Sequence, residues 1–491
     1  MLRGFAIILG VLGLCALTVE LYARSRERSR HRQAERVAER ALLGGGLRGL
    51  LRARNMALGS AAMAGDTEAA ATLALANAML ASEYGLDETN AALAAADAVD
   101  GTPGASARAQ ALMLASRALV AITTGHADLA EASARRSVDL GHKQASPLFA
   151  LGRVRFRQGN LAAAAHAFQA ALVREPAFVE PRVAWAEVWL EQGNRAKARE
   201  ALRAALKQTP DHTRALLLLA EIPSASGPGP DPGWEAACAR DEGTSPAIAD
   251  KCALARAQQA WRRHDWDMAV SRAEAVGTHP PAEPRALGRA AQLLASAGMV
   301  DQAASILNLA APMTRPLPSL RWARIAIALG RGQLVDLPKD LPAASSPWAP
   351  LIAARIALTS GGVKSLESNL PVLLGDGVSP EKPPGNDVGD SNPGSMDPAR
   401  AYVKGMQALL AGNSARAAEW LARSLSRHGS ACRAAGEYLA LGDAVGKTPE
   451  IGAFAWLLDN NSQCVNLPAV FAAAEQKPRR KPAKRARRRA P

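Results

Sequence analysis

Gly442-Asp443-Ala444-Val445-Gly446-Lys447-Thr448 sets a Lys-Thr pair behind two glycines, as a phosphate-gripping loop does. Only three residues separate the glycines, one fewer than such a loop needs to wrap a phosphate. The preceding run from Glu437 to Gly442 (EYLALG) reads as helix and not as a buried strand, so the segment is expected to be a turn between helices. None of the eight histidines stands in H-E-x-x-H or another metal spacing, and His166 and His264 fall within helical stretches, where packing or surface roles suit them. No C-x-x-C and no nucleophile elbow is present. The sequence therefore predicts no enzyme, no catalytic residue, no metal and no cofactor.

The charged residues point to binding instead. The formal net charge is +14, and much of it lies in two short end segments. One is the tail from Lys477 to Pro491, which carries nine Lys or Arg and no acid. The other is Arg24, Arg26, Arg28, Arg30 and Arg32, offset by Glu27. Between them the chain is close to neutral, which argues against a nucleic-acid-binding fold body. The tail has too little apolar content to fold alone. Its Arg479, Arg480, Lys481, Lys484, Arg485, Arg487, Arg488 and Arg489 could attract anionic lipid headgroups or nucleic acid, or serve only solubility.

Hydrophobic residues make up 48% of the chain and aromatics only 4%, with alanine prominent, which favours thin helices packed closely. Phe5 to Val19 is an uncharged apolar run that can extend past Glu20 through Leu21, Tyr22 and Ala23 to a marginal spanning length. With Arg3 the only basic side chain before it and no good small-x-small site after it, it reads as an uncleaved anchor and not as a signal peptide. The arginines that follow favour a cytoplasmic location for the body. Cysteine usage leans the other way. With Cys15 in the apolar run, Cys238 with Cys252 and Cys432 with Cys464 are sequence-local pairs that could form disulfides in an oxidising periplasm, or could remain thiols.

A single internal period organises the chain. Gly125, Gly159 and Gly193 recur every 34 residues, as do Ala130, Ala164 and Ala198; Ala171 with Ala205 and Pro176 with Pro210 keep the same interval. Gly152 and Ala186 provide a small position in a first helix, opposite Ala164 and Ala198 in a second, with Phe168 and Leu202 as the large apolar residues. The glycines suit a left-handed turn, and the prolines stop the second helix. His264 with Gly298 and Ala269 with Ala303 repeat the interval, and Gly405, Gly412, Ala417 and Leu421 supply a further instance.

These units resemble the tetratricopeptide repeat (TPR). The resemblance implies an all-α fold, a TPR-like α-α superhelix of helical hairpins, here preceded by one transmembrane helix. The expected organisation is an anchor over 1–23, a basic juxtamembrane helix over 24–40 and a helical array over 41–222. A Pro/Gly-rich linker over 223–250, a second array over 251–374, a flexible linker over 375–397, a third helical unit over 398–474 and a disordered basic tail over 475–491 follow.

Family resemblance also places partner contacts on the first helix of each unit, along a concave face. In this sequence those positions are Ser146, Phe149, Arg153, Phe156 and Arg157, then Glu180, Val183, Glu187, Leu190 and Glu191, with Arg214 and Leu217 beyond. An apolar centre flanked by Arg and Glu suits an extended peptide or a partner helix. The alternative is a face with no ligand. Phe149, Arg153 and Ala184 do not supply the Lys and Asn with which some TPR domains clamp a chaperone's carboxylate, so that role is not implied. The combined expectation is a single-pass scaffold at the bacterial inner membrane, binding proteins for an envelope or signalling assembly. A membrane tether for nucleic acid, acting through the tail, is the alternative.

Overall fold

Gly125, Gly159 and Gly193 stand in the left-handed region, at φ of 85°, 76° and 79°, a conformation glycine reaches without a Cβ penalty. Behind two of them the next residue starts the following helix. The side chain of Asn160 accepts from Ala163 N at 3.2 Å, and that of Asn194 from Lys197 N at 3.1 Å. A Gly-Asn pair thus ends one helix and begins the next, which makes the tight hairpin of the repeat.

The structure, a computed structural model, describes residues 33–346 except 62–65, 142, 223–232, 263–264, 279–282, 298, 311–314, 332, 334–337, 339 and 343–345, with Glu20, Tyr22, Arg26 and Ser29 besides. Among the described residues there is helix and no strand. The helices are α1 (33–44), α2 (Gly46–Ala61), α3 (Thr67–Tyr84), α4 (Thr89–Asp100), α5 (Ala107–Thr123), α6 (Ala127–Leu140), α7 (Ala145–Arg157), α8 (Leu161–Arg174) and α9 (Val179–Glu191). They continue as α10 (Arg195–Gln208), α11 (Thr213–Glu221), α12 (Gly233–Asp241), α13 (Pro246–Arg262), α14 (Trp266–Glu274), α15 (Pro284–Ala297), α16 (Val300–Asn308) and α17 (Pro318–Gly330). Apart from the residues joining α13 to α14, they belong to one compact unit, made of 1–261 and 267–349. The second unit, 262–266 with 350–491, lies almost wholly outside the described residues.

Successive first helices lie side by side, α3 on α5, α5 on α7 and α15 on α17, and each packs on its own second helix. The two kinds of helix are buried very differently. α8 buries a single stripe of Ala164, Ala167, Phe168 and Ala171, and α10 only Ala198, Leu202 and Ala205. In α7 and α9 nearly the whole circumference is buried, including Arg153, Glu180, Glu187 and Glu191. A helix hydrophobic only in part yet buried all round must bury charge, and that charge forms the site described below.

The small position of the repeat is tight. A Cβ at Gly152 would lie 2.4 Å from the ring of Phe168, so glycine there is what admits a phenylalanine. The unit that follows has Ala186 with Leu202, a larger small residue with a smaller large one, and all are buried.

Two expectations change. Residues 223–250 do not form one linker: α12 and the start of α13 occupy Gly233–Asp241 and Pro246 onward. Trp234, Ala237 and Cys238 make a buried helical stripe, and Cys238 is disulfide-bonded to Cys252 on α13, with 5.8 Å between the Cα atoms. The region read as a basic juxtamembrane helix, 24–40, is also in part core, since Ala38 of α1 is buried in the main apolar cluster. Among the described residues no helix is long and apolar enough to cross a membrane, and Phe5 to Val19 lie outside them. The second pair, Cys432 and Cys464, the Gly442–Thr448 turn, the segments 375–397 and 398–474 and the basic tail lie outside them as well.

Candidate functional site

Residues one repeat apart occupy the same place on adjacent first helices, so opposite charges at that interval meet. Arg153 on α7 donates from Nη1 to Glu187 Oε2 on α9 at 2.7 Å, 34 residues away. Arg214 on α11 donates from Nη1 to Glu180 Oε2 at 2.9 Å, again 34 residues away. Links across the superhelix join these rungs. Arg153 Nε donates to Glu83 Oε1 of α3 at 2.7 Å, Arg214 Nη2 donates to Glu187 Oε1 at 2.8 Å, and Arg214 Nη1 lies 2.7 Å from Glu83 Oε2. Five charged side chains from four helices are thereby paired, two guanidiniums against three carboxylates, all essentially shielded from solvent.

Glu180 is the most heavily engaged acid. Its Oε1 accepts from Tyr84 Oη at 3.0 Å and from Gly46 N at 2.9 Å, the latter at the N-terminus of α2, and His212 Nε2 lies 3.3 Å away. His212 Nδ1 accepts from Ala215 N at 3.3 Å and so caps α11. Burial alone would push the Glu180 carboxyl up, but His212, Arg214 and the Gly46 N–H outweigh it and hold it at about 2. Burial opposes ionisation of Glu187 too, yet Arg214 and Arg153 pull it well below the ordinary carboxylate value. Tyr84 moves the other way, because burial and the Glu180 charge both disfavour its phenolate.

The network continues toward the C-terminal helices. Lys251 of α13 lies 2.5 Å from Glu283 Oε2. Arg285 of α15 forks onto Glu221 at 2.8 and 2.6 Å and reaches Glu191 Oε1 at 3.1 Å. Glu191 Oε2 accepts from Ser319 N at 2.9 Å, at the N-terminus of α17. Two inner-face acids, Glu180 and Glu191, therefore serve as anions for helix ends elsewhere in the same chain.

The residues expected to line a partner groove are placed accordingly. Phe149 packs on Phe168 and Phe178, with ring centroids 6.1 and 5.5 Å apart. Phe156 lies under the Arg153 guanidinium, 5.3 Å from ring centroid to Cζ. Val183 and Leu190 are core residues with Ala198 and Leu202. Arg153, Glu187, Glu191 and Arg214 are in the network, and Arg157 is half-buried beside it, where burial and neighbouring Arg153 lower its proton affinity. Arg153, Glu187, Glu191 and Arg214 thus face other parts of the same chain, and side chains or helix ends of α3, α15 and α17 meet them where the expectation put a partner.

Sequence reading missed Glu83, Tyr84, His212, Lys251, Glu221, Glu283, Arg285 and Arg289. The signal available was the charge reversal at one repeat, Arg153 to Glu187 and Glu180 to Arg214. The α3, α13 and α15 contributions join at separations that no period announces. Cys238, Glu242 and Cys252 also converge, with ligand-type atoms within 4.8 Å. The two sulfurs are bonded to each other and Glu242 pairs with Arg256 at 2.7 Å, so this trio does not fit a metal ion. The basic tail residues Arg479 to Arg489 lie outside the described residues.

No curated protein matches the chain. Among solved structures, a match is a monomeric mutant of IFIT1 with m7Gppp-AAAA, at 15% identity over 76% of each chain and a TM-score of 0.30. Residues 155–222 match the family model described as tetratricopeptide repeat. That stretch runs from the end of α7 to the end of α11, the same hairpins that carry the 34-residue period. This stretch is thus similar to tetratricopeptide repeats, which in general mediate protein-protein interaction, and the described residues around it are helical.

Proposed function

We propose that this chain is a non-catalytic, membrane-held scaffold whose repeats bind protein partners on their outer, second-helix face. The observation that carries this reading is the filling of the concave side by the chain's own charge network. With the inner positions spent on folding, the accessible surface of the repeat stretch is that of α8 and α10. There Val173 is 74% exposed, and Lys197, Arg203 and Lys207 are exposed beside it. An acidic protein surface with an apolar contact complements that set. Arg153, Glu180, Glu187 and Arg214 are engaged with one another, which supports a structural rather than a catalytic use of them. The apolar run from Phe5 to Val19 supports the membrane attachment.

A photo-cross-linking residue at Val173 should trap a discrete protein in intact cells, and one at Phe156 should not. An adduct at Phe156 and none at Val173 would return the binding site to the concave face.

For the compartment, the Cys238–Cys252 disulfide supports an oxidising setting for the body, against the arginines after the apolar run, which favour the cytoplasm. We place the body on the periplasmic side of a bacterial inner membrane. Maleimide labelling of thiols after denaturation of freshly acid-quenched cells should leave Cys238 and Cys252 unlabelled; full labelling would put the body in a reducing compartment.

A further inference from the structure

Among the described arginines of the charge network, Arg289 leaves two guanidinium nitrogens buried without an acceptor. Its side chain is 5% exposed, and its ion pair with Glu191 Oε1 spans 3.8 Å. That oxygen already accepts from Arg285 Nε at 3.1 Å, while the other oxygen of Glu191 accepts from Ser319 N. The Nε and Nη1 of Arg289 are buried with no acceptor. The hydroxyl of Ser319, at the N-terminus of α17, is buried and unpartnered too. α15 presses directly on this helix end: a Cβ at Gly288 would stand 2.9 Å from Ser319 C and 3.0 Å from Leu320 N.

Leaving two guanidinium donors buried without acceptors is costly, and the favoured remedy is an acceptor of opposite charge. The charges acting on Arg289 are mixed: Glu191 and Glu221 favour its cation, and Arg285 and Arg195 oppose it. Burial, with Arg285 as a like charge beside it, draws the proton affinity of Arg289 down to about 10, Glu191 compensating only in part. The α17 N-terminus adds the positive end of a helix dipole, of which Glu191 uses one N–H.

We propose that Arg289 and Ser319, at the junction of α15 with the N-terminus of α17, bind a small oxyanion of the carboxylate or phosphate type. The near-complete burial sets the size: a free anion fits the chemistry, and a macromolecular one would have to open the helices. Bound there, the ion would join α15 and α17 to α9, so its occupancy would be read as stability of the C-terminal half of the superhelix.

The test compares the full chain with its Arg289→Met variant in inorganic phosphate, in acetate, and in chloride at equal ionic strength. Phosphate or acetate is expected to raise Tm in the parent by roughly 5 °C at saturation and to leave the variant unmoved. Whichever anion acts identifies the source. In chloride the variant should melt at or above the parent, since an apolar side chain of similar length relieves an uncompensated buried charge. An Arg136→Met control on the exposed face of α6 should keep the response. Equal responses in parent and Arg289→Met, no response to either anion, or a variant that melts far below the parent in chloride would each overturn the proposal.

Discussion

Gly152 and Phe168 meet so closely that each sets the size of the other, and Ala186 with Leu202 solve the same volume problem in the adjacent unit. Gly152→Ala should therefore destabilise the chain by about 1–3 kcal/mol, the range for overpacking a dense core. Adding Phe168→Leu should recover most of that loss, because the pair then copies Ala186 and Leu202. Denaturant titration of the four chains of the cycle checks it, with a favourable coupling of about 1 kcal/mol expected. Additive losses would mean that the two positions do not share one space. The sequence displayed both pairs at the 34-residue interval, but it suggested Ala164 as the residue opposite Gly152. The ring that fills the gap is Phe168, four residues on, and only the packing of α7 on α8 selects it.

At the scale of helices, charge reversal at the repeat interval works as a fastener between adjacent first helices. Arg214 answers Glu83, Glu180 and Glu187 at once, so Arg214→Met leaves Arg153 as the one guanidinium paired with Glu83 and Glu187 and removes the guanidinium from Glu180. A loss of about 3–5 kcal/mol is expected, measured by thermal or chemical unfolding. A loss below about 1 kcal/mol, as for a surface pair, would contradict the burial. Acid should undo the same fastener in a defined window. The folded Glu180 carboxyl sits at about 2, below its ordinary 4.5, so its stabilisation is fully present above 4.5 and is lost as pH falls toward 2. That depression corresponds to about 3 kcal/mol. Glu180→Gln should flatten the decline of Tm between those values. The Gly-Asn turns carry a smaller effect: Asn194→Ala should cost about 1 kcal/mol through the lost cap of α10.

For the whole molecule, the disulfide joins α12 to α13 and so secures the hairpin from which Lys251, next to Cys252, enters the network. Its loop of 14 residues limits its contribution to about 3 kcal/mol. Cys238→Ser with Cys252→Ser should lower Tm while leaving the Arg153, Glu187 and Arg214 rungs formed, because those lie on α7, α9 and α11. A chain that loses all helicity on reduction would show the hairpin to be indispensable to the fold. The buried acids of α9 reach from Gly46 at the start of α2 to Ser319 at the start of α17, so helices far apart in sequence share one helix's carboxylates.

The sequence by itself determined the hairpin. Turn glycine, small and large apolar positions and terminal proline share one phase, and local sterics suffice to read them. It also marked α7, α9 and α11 as the helices whose polar residues face a common side. What that side meets was decided by tertiary structure alone. The pitch and closure of a superhelix accumulate from small rotations at each repeat, and no local spacing encodes the sum. Hence Arg153, Glu187, Glu191 and Arg214, which looked like a surface awaiting a ligand, are instead buried charge that ties α7, α9 and α11 to α3, α15 and α17.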